Sequence, residues 1–94
     1  MLHQPAPAPD IIEEDLDDEV CLYRPADDEV VVLNRTAADV WRLADGRVSL
    51  DQIVERLALG YGVDASRIEQ DVQEVTANLA DRGFLVEAGP AGVV

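Results

Sequence analysis

The stretch V30-V-V-L-N-R-T-A-A-D-V-W-R-L-A-D-G46 changes period in its middle, and that change decides the fold. Val30, Val31, Val32 and Leu33 form a β-branched apolar run of strand type. From Asn34 the apolar residues Ala37, Val40, Trp41 and Ala44 recur at helical spacing. Asn34 is a good N-cap, and Asp45-Gly46 closes the helix. A strand therefore runs directly into a helix.

Working backwards, Val20-Cys21-Leu22-Tyr23 reads as a second strand and Ile11-Ile12 as a weaker first one. Asp17-Asp18 and Pro25-Ala26-Asp27-Asp28 supply the turns between them. Two hairpins make a three-stranded antiparallel sheet. Working forwards, Ser49 caps a second helix, with Gln52 completing a capping box. Its stripe is Leu50, Ile53, Val54, Leu57 and Tyr61, and Gly60 and Gly62 end it. Asp64 is placed to cap a third helix with the stripe Ala65, Ile68, Val72, Val75 and Leu79. Gly83 stops that helix, and Phe84-Leu85-Val86 continues as an extended apolar piece. The class is α+β: three strands, then three helices, the last two arranged as a helix-turn-helix.

Residues 1–9 alternate Pro with Ala and are expected to be a disordered tail, as are residues 88–94. The folding unit is then 10–87. The chain has 94 residues, and a chain of that size buries only about 60–65% of the surface its unfolded form exposes. There is room for one modest core and little for a deep cleft.

Charge removes several function classes. Twenty acids face seven bases, all Arg, for a net of −13. Between Asp10 and Glu29 ten acids meet only Arg24, which places −9 of that total in the N-terminal third. Such a balance disfavours nucleic acid, despite the helix-turn-helix order, and anionic membrane surfaces. The exposed positions of the third helix, Glu69, Asp71, Glu74 and Asp81 against Arg67 and Arg82, are not a basic recognition face. No run approaches the ~18 apolar residues of a membrane span, and the first residues lack signal-peptide character. A cytoplasmic protein is expected.

One cysteine, Cys21, and one histidine, His3 in the tail, leave no disulfide, no metal set and no His-based triad. No nucleophile–base pair is visible, so neither catalytic residues nor a cofactor are expected. A carrier protein would need Asp-Ser-Leu at its attachment point, whereas Ser49-Leu50 follows Val48. A DNA-binding regulator stays as the alternative to a binding module.

The Val30–Leu33 strand is apolar on both faces, Val30 and Val32 on one and Val31 and Leu33 on the other. These residues leave two readings open. The strand is a buried middle strand, or it is an edge that accepts an extended peptide as a further strand.

Taken together, Asn34, Thr36, Ala37, Trp41, Asp45, Gly46, Ile53, Leu57, Asp71, Val72, Leu79, Gly83, Phe84 and Leu85 resemble, in order and spacing, the pattern of the PqqD-like family. The likeness covers about residues 10–87; Ser49 stands where the family commonly has Thr. The family comprises RiPP recognition elements, the leader-peptide-binding domains of ribosomal peptide natural-product pathways. The resemblance implies a winged helix-turn-helix without catalysis. It favours the edge reading: a precursor's leader peptide binds as a strand along Val30–Leu33, in the cleft beside the third helix, and is presented to separate enzymes. In lasso-peptide assembly those clients are a leader peptidase and an ATP-dependent cyclase. In pyrroloquinoline quinone assembly the client is a radical-SAM enzyme. The Arg-only bases and the Pro/Ala tail suit a GC-rich source and lean towards lasso assembly. The implied peptide-binding residues are Val30, Val31, Val32 and Leu33, which give backbone bonds and apolar contacts. Arg67, Asp71, Glu74, Val75 and Asn78 join them on one band of the third helix. Val75 is assigned to the groove floor, and Asp71 and Glu74 to basic or hydroxyl groups of the leader. A monomer or a domain-swapped dimer fits this reading. The acidic third is expected to steer a basic leader or client.

Overall fold

In the computed structural model, which describes residues 2–88, the expected alternation is visible strand by strand. Five strands, β1 (Pro5–Pro7), β2 (Ile12–Leu16), β3 (Glu19–Arg24), β4 (Glu29–Leu33) and β5 (Leu85–Glu87), accompany three helices. The helices are α1 (Arg35–Leu43), α2 (Leu50–Tyr61) and α3 (Ala65–Asp81). Strands β2, β3 and β4 form an antiparallel sheet in that order, with Leu22 opposite both Glu13 and Val31. Asp17 and Asp28 take the left-handed backbone of the two connections, with φ of 55° and 56°. Asp tolerates this region better than most residues because its short side chain can bond locally.

Period two then divides the sheet. Val20, Leu22 and Leu33 are buried towards the helices, while Ile12, Val30 and Val32 stay about half exposed on the far face at 53%, 48% and 54%. The core continues through Ala38, Val40 and Trp41 of α1, Ile53 and Leu57 of α2, Val72 and Leu79 of α3, and Phe84 and Leu85. Thr76 is the one buried polar residue among those described, and its hydroxyl donates to the Val72 carbonyl at 2.8 Å.

The caps follow the sequence except at Gly60, which lies inside α2 and leaves Gly62 alone to end it, and at Asp64. Asn34 accepts from the Ala37 N–H at 2.9 Å, and Ser49 and Gln52 complete the capping box. Asp64 occupies the N-cap position of α3 but makes no side-chain cap bond. Gly83 ends the α3 region with φ of +82°, where an added Cβ would stand 2.5 Å from Nη1 of Arg24.

The N-terminal segment departs from expectation. Residues 5–7 are not a free tail but a strand, paired antiparallel with β5. Pro5 is fully buried. The segment works because its prolines need only accept: Pro5 takes the Gly46 N–H at 3.0 Å, while Ala8 donates to the Phe84 carbonyl at 2.9 Å. His3, expected in a loose tail, accepts from the first amide of α2, Leu50, at 2.8 Å. Its own N–H and that of Gln4 donate to the Glu87 carboxylate at 2.7 and 2.8 Å. Ala88 donates to the Gln4 carbonyl, and residues 89–94 lie outside the described residues.

Candidate functional site

Strand β4 is an edge of its sheet, so half of its backbone groups have no partner strand. Helix α3 runs beside it without closing on it. Between them lies a groove of about 320 Å³. Val31, Leu33, Ala37, Val75 and Leu79 give it an apolar floor, and Asn34, Glu74 and Asn78 give it a polar rim. A second hollow of about 310 Å³ continues it past Asn34, Glu74 and Val75 to Thr36 and Asp71. The two form one channel that is apolar in the middle and acidic at the Asp71 end.

Local rules place each wall. The Val-Val-Leu run turns Val31 and Leu33 inwards by strand alternation. Spacings of four and three along α3 put Asp71, Glu74, Val75 and Asn78 on one side, above buried Val72 and Leu79. Asn34 caps α1 through its side-chain oxygen, which leaves its amide nitrogen for the groove. Gln70 donates to Glu74 at 3.3 Å, one turn along the helix.

Of the expected residues, Val31, Val32, Leu33, Glu74, Val75 and Asn78 line the groove, and Asp71 lines its extension. Val30 does not line it; its side chain lies on the far face, and its carbonyl takes Nη2 of Arg82 at 3.2 Å. Arg67 lines a different hollow, of about 700 Å³, at the α2–α3 elbow with Glu55, Leu59, Val63 and Asp64. That hollow is the larger, but it is walled by helices and offers no strand edge. Asn34, Thr36, Ala37 and Leu79 were not expected here. Asn34 read as a cap, and Ala37 and Leu79 as plain core, so only their position beside an open edge reveals them.

The surrounding electrostatics fix the hairpin end of the channel. Arg24 donates to both Asp27 oxygens, at 2.9 and 2.8 Å, and its guanidinium lies 4.8 Å from the Phe84 ring centre. The hydrogen bond from Arg24 holds the Asp27 carboxyl below its ordinary value. The Tyr23 hydroxyl donates to Asp28 at 2.6 Å, and that bond raises the phenol. Among the described residues no group of three or more His, Cys, Asp or Glu is placed to hold a metal. Nor is any helix there long and apolar enough to cross a membrane.

Two solved structures share this architecture. One, "TbiB1 in Complex with the TbiA(beta) Leader Peptide", superposes with a TM-score of 0.76 at 22% identity, over 85% of this chain and 93% of that one. The other, "Lasso peptide synthetase B1 complexed with the leader peptide", gives 0.74 at 26% identity, over 88% and 98%. Fold and groove together define the class: an α+β winged helix-turn-helix of the RiPP recognition element type. Within it, the chain belongs to the family described as Coenzyme PQQ synthesis protein D (PqqD), whose model matches residues 19–85. A PqqA binding protein of Rhodopseudomonas palustris (strain BisB5) is 36% identical over 63 residues, 67% of this chain and 62% of its own length. One from Xanthomonas oryzae pv. oryzae (strain PXO99A) is 42% identical over 60 residues, 64% of this chain and 65% of its own. The chain thus spans under two thirds of the length of these curated relatives.

Proposed function

We propose that this chain binds the leader region of a ribosomally made precursor peptide as an added strand on β4, and presents it to separate modifying enzymes. The observation that carries the reading is the free β4 edge facing an apolar groove beside α3. Strand addition satisfies the edge backbone, and alternate side chains of the peptide enter the groove. Filling the floor between Val31 and Val75 with one apolar side chain is worth about 1.5–3 kcal/mol. Asp71 and Glu74 then meet a basic or hydroxyl group of the leader. The role is binding, with chemistry left to client enzymes.

Lasso-peptide assembly is the pathway we favour, with a leader peptidase and a cyclase as clients. It is supported by the structural neighbour titled as a lasso peptide synthetase B1 with its leader peptide. Pyrroloquinoline quinone assembly, with a radical-SAM client, is the second reading, supported by the relatives named for PqqA binding. Fluorescence anisotropy with labelled leaders of a lasso precursor and of a PqqA-type peptide tests both. Binding of one leader tighter than about 100 µM, roughly −5.5 kcal/mol, supports the proposal and selects the pathway. Binding of neither overturns it.

A further inference from the structure

The edge of β4 is not open along its whole length. In an antiparallel ladder, alternate residues give their N–H and C=O to the neighbouring strand, and the residues between turn theirs outwards. The Val30 carbonyl is turned out towards Arg82, the residue that caps the end of α3, and accepts Nη2 at 3.2 Å. Val32, two residues on, presents its backbone to the same side. Among the described residues, no side chain is bonded to it.

Arg82 is held from two directions. Its guanidinium stands 3.5 Å from the Glu29 carboxylate. Its backbone carbonyl takes Nη1 of Arg24 at 2.7 Å, and Arg24 is itself fixed by Asp27 and by the Phe84 ring. The arginine therefore closes the hairpin end of the edge, while the groove stays open at Val32.

We propose that Arg82 is a register stop, a positioning residue that ends the pairing of an added strand before Val30. This rests on the strand-addition reading. A peptide amide approaching the Val30 carbonyl along the edge would compete with the charged donor that already stands on its outward side. Bonds from charged donors are stronger than neutral amide ones, so the exchange is unfavourable. Every pairing in this sheet is antiparallel. A strand added in the same sense runs from the Leu33 end towards Val30, and its carboxyl-terminal continuation is what meets Arg82. In a leader, that continuation carries the segment to be modified. Arg82 thus turns the modified segment off the sheet instead of letting it zip along the hairpin.

The test uses the full chain, its Arg82→Met variant, which keeps an apolar stem and loses every donor, and Arg82→Lys, which keeps a cation. Without peptide, the Val30 carbonyl carbon resonance should move in Arg82→Met and less in Arg82→Lys; an unmoved resonance overturns the strap. With the isotope-labelled lasso or PqqA-type leader that binds, amide exchange maps the paired stretch. Pairing should end opposite Val32 in the parent and extend by about two residues in Arg82→Met. N-methylation of the peptide amide opposite Val30 should be neutral in the parent and cost about tenfold in affinity in Arg82→Met. Identical end-points in parent and variant overturn the stop while leaving leader binding intact. Failure of both leaders to bind parent and variant alike defeats the leader-binding reading and the stop with it.

Discussion

The indole N–H of Trp41 donates to the Glu13 carboxylate at 2.9 Å, and this bond ties the first strand of the three-stranded sheet to α1. Glu13 and Asp15 are the alternate residues of β2 on the helix side, opposite Leu22 and Val20. Asp15 pairs with Arg42 at 3.2 Å. Part of the acidic N-terminal third is therefore structural. Trp41→Phe removes the donor while the exposed Glu13 carboxylate turns to water, so the lost bond should cost about 0.5–1.5 kcal/mol, with the smaller ring adding a packing loss. Glu13→Gln keeps a carbonyl acceptor and should cost less. Urea midpoints at unchanged m-value separate the two. A double-mutant cycle with Glu13→Ala isolates the bond, and zero coupling would assign the Trp41 effect to packing alone.

Gly83 and Arg24 are coupled through space. A side chain at Gly83 meets both a φ of +82° and the Arg24 guanidinium at 2.5 Å. Gly83→Ala should destabilise by about 1–2 kcal/mol from the left-handed backbone alone. The clash adds to this. In the Arg24→Ala background the clash disappears and only the backbone cost remains. A double-mutant cycle reads the difference as a coupling energy, and a zero coupling would refute the contact.

Val75 is half-buried at the groove and borders both of its hollows. Val75→Asp puts a carboxylate on the apolar floor. It should weaken leader binding by at least about tenfold, roughly 1.4 kcal/mol, with circular dichroism confirming that the variant is folded at the temperature of titration. Arg67→Ala, at the α2–α3 elbow, should leave binding unaltered. Titration of both variants with the same labelled leader checks the site against the elbow.

The strand pair β1–β5 should be sensitive to acid. Glu87 accepts the His3 and Gln4 amides, and these bonds hold its carboxyl below the ordinary glutamate value. A lowered native value gives a contribution that is complete above the unfolded pKa and lost as pH falls through the native one. The pair is thus at full strength at neutral pH and loosens below the glutamate range. Protection of the Gly46 and Leu50 amides, whose acceptors are Pro5 and His3, reports this. Glu87→Ala should show the loosened state already at neutral pH.

Why some of this was legible in the sequence and some was not follows from particular residues. The Val30–Leu33 run and the Asn34 cap announce a strand entering a helix, because both signals are local. Pro5–Pro7 is silent as a strand because proline cannot donate to a ladder; its pairing rests on acceptors and on alanines that carry no β signal. Along α3, the family likeness together with helical spacing named Asp71, Glu74, Val75 and Asn78, and all four border the hollows beside β4. The spacing also drew in Arg67, since a helical stripe does not reveal where the neighbouring strand ends. Arg82 looked like one more surface charge. Its role depends on Val30, 52 positions earlier in the chain, which periodicity does not connect to it.

The bond from Ala88 to Gln4 has a consequence for how such a unit combines with others. Both ends of the described chain leave from one point, on the β1–β5 pair rather than at the groove. A short linker could join them, and new ends opened at the Asp17-Asp18 turn would give a circular permutant. By the same geometry the domain could be spliced into a surface loop of a larger protein as a pendant, hanging from a single stem.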